Sequence, residues 1–244
     1  LDDGRVVYTR WEYNDRGQVF TQPLCQMNPD GTGQAEYYGG NSFFPTTVTH
    51  TRQIPGTRKV MATILGHHTP QHGKLCIIDP EAGRDENEGV MLVAPLHRPE
   101  AVKVDTYGQF GDQFQHPYPL NENEFLISYT PLGYHVGHPM EFGIYWMTPS
   151  GERELLVSDA SISCNQPVLL AERERPFERV NNVDYTKEEG VYYMQNIYEG
   201  NGLKGVEPGT IKKLRIVEPI YRVASIGAAF GSDAGGGGHA FSPV

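Results

Sequence analysis

Three histidines and a glutamine crowd one short stretch, Gly66-His67-His68-Thr69-Pro70-Gln71-His72-Gly73. Imidazole nitrogens at such spacing can share a first-row divalent metal, with a carboxylate or water completing the shell. A second polar group follows at Gln113, Gln115 and His116, and His135 and His138 occupy the corresponding stretch of a later segment. The candidate metal ligands are therefore His67, His68, His72 and His116. The competing reading makes them polar loop side chains, exposed or lining a channel. Other enzyme chemistries have little footing: Gly-x-Ser-x-Gly, a P-loop ending in Gly-Lys-Ser/Thr, and His-Glu-x-x-His are all missing. Gly231-Ser232-Asp233-Ala234-Gly235 sets a serine among glycines without the context of a strand-elbow-helix. The acids of Asp85-Glu86-Asn87-Glu88 lack the alternating ligands and closing glutamate of a calcium loop, and read as a solvated turn.

Short strands must position these side chains. Four times an apolar strand runs into a residue-plus-proline turn: Met27-Asn28-Pro29, Ile78-Asp79-Pro80, Met147-Thr148-Pro149 and Val217-Glu218-Pro219. Behind each lies an earlier apolar strand, at residues 5–9, 59–63, 124–129 and 190–194. The turns recur roughly every 50 to 70 residues, the spacing of propeller blades that carry loop insertions. Two strands joined by turns cannot bury both faces alone, so such units must stack on their neighbours. Third strands are predicted near Ala35-Glu36-Tyr37-Tyr38, Val90-Met91-Leu92-Val93 and Leu155-Leu156-Val157. Residues 103–115 read as an aromatic and polar loop. No segment has helix caps and a 3.6-residue apolar period.

These signals predict an all-β fold, a β-propeller of short antiparallel meander blades with four recognisable units in an incomplete ring. A fifth unit is partly represented around residues 103–118 and 160–175. Blades occupy 1–222, and the Gly-rich stretch 223–244, with its run Gly235 to Gly238, reads as a linker towards a further C-terminal domain. Loops on one rim of a propeller converge on its channel, so histidines from different blades could meet there.

The net charge of −10 argues against a nucleic-acid partner, since a phosphate-backbone binder is expected to be basic. The run Lys212-Lys213-Leu214-Arg215 reads as the solvent face of a strand. Nothing approaches the roughly 20 apolar residues of a membrane span. Cys25, Cys76 and Cys164 are isolated, with no C-x-x-C spacing, and read as small buried residues; Cys25 and Cys76 take comparable places in an inner strand. Aromatic residues gather in or beside loops at Tyr37, Tyr38, Phe43, Phe44, Tyr107, Phe110, Phe114 and Tyr118, and suit packing between blades better than a sugar-binding rim.

Asp3-Gly4-Arg5-Val6-Val7-Tyr8-Thr9-Arg10-Trp11 with Met27-Asn28-Pro29-Asp30-Gly31 resembles the WD40-like propeller repeat of TolB-type proteins. A more specific likeness runs through His116-Pro117-Tyr118-Pro119-Leu120, Phe142-Gly143-Ile144-Tyr145, Arg153-Glu154-Leu155-Leu156, Asn196-Ile197-Tyr198-Glu199-Gly200 and residues 209–218. Together these resemble the hydrazine synthase alpha subunit-like family of large bacterial proteins. That resemblance implies a propeller followed by domains carrying c-type haem, in a periplasmic or other extracytoplasmic setting. Haem attachment needs C-x-x-C-H, and this chain has none, so no haem is expected in it. A pectate-degrading propeller lyase also resembles the first repeat and binds a divalent metal through His and Gln, but its ligand spacing does not map onto Gln113, Gln115 and His116.

Two functions follow as expectations. One is a non-catalytic scaffold and interaction module of a larger haem-containing protein, partnered by a neighbouring domain or a partner subunit. The other is a metal-dependent lyase or hydrolase with a His-rich site at the channel mouth. Metal content of the purified chain by plasma mass spectrometry separates them. About one first-row metal per chain, lost in His67→Ala or His72→Ala, is the result the second function requires.

Overall fold

The computed structural model describes residues 1–11, 21–100, 106–131, 141–194, 196–198, 203 and 205–216. Among them there is no α-helix, and eleven strands form three antiparallel sheets. The first sheet is β1 (Val6–Thr9), β2 (Leu24–Met27) and β3 (Ala35–Tyr38) in that order. The second runs β4 (Thr47–Gln53), β5 (Val60–Leu65), β6 (Lys74–Ile78), β7 (Val90–Leu92). The third runs β8 (Gln113–Pro119), β9 (Phe125–Thr130), β10 (Gly143–Met147), β11 (Arg153–Val157). Each sheet is a meander, every strand pairing with its successor in the chain.

The proline turns act as expected in all three sheets. Gly31 N donates to Asn28 O (2.9 Å), Ala82 N to Asp79 O (3.1 Å) and Gly151 N to Thr148 O (3.0 Å). In each, proline follows the acceptor residue and fixes φ for the reversal. The strands on either side are short and apolar, and their alternation divides side chains between two faces.

β5 shows what that division achieves. All six of its residues are buried. Val60, Ala62 and Ile64 join Leu24, Tyr38, Val48, Cys76 and Ile78 in a core shared by the first and second sheets. Met61 points to the opposite face and joins Leu75, Phe114, Phe125, Ile127 and Met147 in a core shared by the second and third. The middle sheet is therefore packed on both sides. Burying each such side chain contributes roughly 1.5–3 kcal/mol.

Backbone bonds tie neighbouring sheets. Gln22 N donates to Thr46 O (2.8 Å) and Val48 N to Gln22 O (3.2 Å), a parallel bridge from the first sheet to the second. Gly73 and Phe114 exchange both bonds (3.1 and 2.9 Å) between the second and third. Residues 158–190 follow β11 without strand pairing. They are held at points such as Cys164 N to Phe142 O (2.8 Å) and Phe177 N to Asp2 O (2.9 Å).

Two expectations need correction. Among its described residues the fourth unit forms no sheet: residues 191–194 and 211–216 have no strand pairing, and the side chains of Val191, Tyr192 and Tyr193 are exposed. Two strands without further neighbours gain too little buried surface to hold together in water. Its turn at Val217-Glu218-Pro219 lies outside the described residues, as does the Gly-rich stretch. Secondly, residues 113–118 are not part of a fifth unit but the first strand of the third sheet, while residues 160–175 pair with nothing as strand. Cys25 and Cys76 do sit on inner strands, β2 and β6, and both are buried; burial pushes the Cys76 thiol well up. By contacts the chain divides into two compact units, Leu1–Gly190 and Val191–Val244, and the three sheets all belong to the former.

Gly73 makes the second bridge possible. A Cβ there would lie 2.3 Å from Ile64 O and 3.0 Å from Leu65 Cβ. Gly73→Ala must push β6 away from β5 or break the exchange with Phe114. The expected loss is about 2 kcal/mol of stability, measured as a lower midpoint in urea or thermal unfolding.

Candidate functional site

β4 and β8, the first strands of their sheets, share an irregularity. The pairing of β4 with β5 slips between Thr49 and Arg52, and that of β8 with β9 slips between Gln115 and Tyr118. Each slip is a bulge, and each bulge holds a histidine in the left-handed region: His50 at φ 52° and His116 at φ 53°. Histidine tolerates this conformation better than most residues, yet it remains unfavourable. Superposing Thr47 on Gln113 places His50 and His116 at the same strand position. Gln166 repeats the geometry with φ 54°, standing before Pro167 as His116 stands before Pro117.

The three positions come together. The His50 and His116 rings meet with centroids 3.9 Å apart, tilted by 41°. They line an open cleft of about 310 Å³ together with Thr51, Arg52, Pro117 and Gln166. Burial, reinforced by neighbouring His116, brings the His50 pKa down to about 4. Burial also lowers that of His116. Both rings are therefore neutral near pH 7. Among the described residues, His50 Nδ1 and Thr51 Oγ1 are buried without a hydrogen-bond partner. Beside them Arg52 lies over the Tyr118 ring, 4.1 Å from its centroid, and Arg173 approaches the same ring at 5.3 Å.

The histidines singled out from the sequence stand in three places. His67 and His68 contact each other edge to face with centroids 4.2 Å apart, and Trp11 reaches His67 at 5.7 Å. His72 is 7% exposed and donates from Nδ1 to Gln113 Oε1 at 2.7 Å, while Gln109 Nε2 donates to its carbonyl at 2.8 Å. Burial lowers its pKa, against an opposing contribution from the Gln113 bond. That arrangement makes His72 a strut between the second and third sheets. His116 faces His50. Among the described residues no three of His, Cys, Asp and Glu gather at a point suited to a metal ion. His135 and His138 lie outside the described residues. His50 and Gln166 were not singled out from sequence. Their signal is a local echo: Gln115-His116-Pro117 and Asn165-Gln166-Pro167 both set an amide before the special residue and proline after it.

No protein-family model matches the chain, and no curated protein does. Among solved structures, Kuenenia stuttgartiensis hydrazine synthase aligns with a TM-score of 0.49 and 21% identity, over 67% of this chain and 19% of that one. The aligned part is thus a minor share of that protein's length.

The lowered pKa of His50 has a signed consequence. Its folded value of about 4 lies below the ordinary 6.5, so the unfolded chain binds the proton more tightly. Stability associated with the neutral ring is full above about 6.5 and is lost as pH falls towards 4. His116 shifts in the same direction, and Arg52 adds positive charge to the same cleft. The unfolding midpoint should fall across that window, and His50→Gln should flatten the fall. Thermal unfolding at half-unit steps of pH checks both.

Proposed function

We propose that the chain is a propeller portion acting as a non-catalytic scaffold and interaction module within a larger bacterial protein. Three meander sheets, each packing on the next, support a propeller arrangement. The resemblance of its segments to the hydrazine synthase alpha subunit-like family supports an extracytoplasmic parent with haem-bearing domains elsewhere. The observation that carries the scaffold reading is β11. All five of its residues are exposed, with Leu155, Leu156 and Val157 at 48, 49 and 54%. A terminal strand with three adjacent apolar residues half exposed is a sheet end made to be covered. Its occupant is a further sheet of the same ring, and through that ring a neighbouring domain or partner subunit is held in place. The reading of a metal-dependent lyase or hydrolase has less support, because its four histidines stand in three separate places.

The isolated chain should bind the dye ANS and self-associate with rising concentration. Leu155→Lys combined with Val157→Lys should reduce both, followed by dye fluorescence and analytical ultracentrifugation. A monomer that binds no dye, and behaves the same in the double variant, removes this reading.

A further inference from the structure

The larger cleft of about 580 Å³ beside the first sheet is lined by charges that already neutralise one another. Arg5 pairs with Asp3 at 2.6 Å, and Arg58 with Glu81 at 2.8 Å. The cleft at the bulges differs. Among the described residues no carboxylate lines it. Burial works against the charge of Arg52 and Arg173 adds a second cation, while Tyr118 offsets them in part; among the described residues no carboxylate is seen to act on it. In a chain of net charge −10, a half-buried arginine without an acid beside it is unusual.

From this cleft we infer a binding site for a small oxyanion, a carboxylate or phosphate group, held by Arg52, His50, His116 and Gln166. The guanidinium presents a planar fork of N–H donors that matches two oxygens at once. The Tyr118 ring packs against that fork, its centroid 4.1 Å from Arg52 Cζ, and Arg173 brings a second positive charge to the same ring at 5.3 Å. Each neutral imidazole can donate one N–H, and the Gln166 amide two more. His50 Nδ1 and Thr51 Oγ1, which lack protein partners among the described residues, gain one from the ligand or from a water it orders. The left-handed bulges explain how the groups converge. In regular strands successive side chains alternate between faces, whereas the extra residue re-aims His50 and His116 into one space. His50, His116 and Gln166, with φ at 52°, 53° and 54°, all reach the lining of this one cleft. At about 310 Å³ the cleft is at the small end for ligand pockets and has room for a small oxyanion.

The test is isothermal titration of the whole chain with malonate and, separately, inorganic phosphate, in metal-free buffer at low ionic strength with sodium chloride as control. Saturable binding of at least one probe at one per chain is expected, and the stronger probe identifies which oxyanion the cleft favours. Arg52→Gln should weaken it at least tenfold. Gln166→Ala, at an exposed position that leaves the cores untouched, should weaken it several-fold with an unchanged unfolding midpoint. Absence of saturable binding by either probe overturns the inference. So does binding that both variants retain at full strength, or binding that appears only when a divalent metal is added, which would make the cleft a metal centre instead.

Discussion

The two-sided burial of β5 is the constraint from which the rest of this architecture follows. A strand whose six residues are all buried cannot belong to a sheet with a wet face. Its sheet must be sandwiched, and Val60, Ala62 and Ile64 on one side and Met61 on the other name the two neighbours. Once three sheets are stacked this way, their first strands are carried side by side. The Gln22–Thr47 and Gly73–Phe114 bridges then fix the offset between layers. The bulged histidines meet only because that offset is held.

The seam between the second and third sheets is also where polar groups are used as structure. His72 and Gln113 satisfy each other inside the interface, and Lys74 Nζ donates to the carbonyls of Phe110 and Asp112 at 2.6 and 2.7 Å. Farther out, Asp112, Tyr129 and Arg153 form a small network, with Tyr129 donating to Asp112 at 2.8 Å and Arg153 to Tyr129 at 2.5 Å. Hydrogen bonding to Asp112 and above all burial push the Tyr129 pKa up, so it stays a neutral donor. Such networks specify one alignment of layers where apolar contact alone would tolerate several.

Legibility in the sequence followed the physics of each strand. β2, β5, β6, β9 and β10 are apolar runs that end in turn chemistry, and residue type alone reveals them. β4 and β8 are not: Thr-Val-Thr-His-Thr-Arg-Gln and Gln-Phe-Gln-His-Pro-Tyr-Pro are mostly polar, and a bulge breaks their two-residue alternation. The feature that hid them as strands is the one that builds the cleft. Residues 191–194 mislead in the opposite direction, since Val-Tyr-Tyr-Met has every local mark of a strand yet finds no pairing partner. Local propensity describes what a segment tolerates, and pairing depends on what surrounds it. His72 illustrates the same limit for chemistry, because its spacing from His67 and His68 fits a ligand set while its partner, Gln113, lies 41 residues away.

The burial of two of the three cysteines has a practical corollary. Cys76 donates its thiol to Ala62 O inside the core and Cys25 is 8% exposed, so neither offers its sulfur to a bulky reagent while the chain is folded. Cys164 is partly open, and it lies two residues before Gln166 on the segment anchored to Phe142. The native chain thus carries its own attachment point for a fluorophore or spin label at the edge of the cleft. Occupancy there could be followed spectroscopically without altering a single residue.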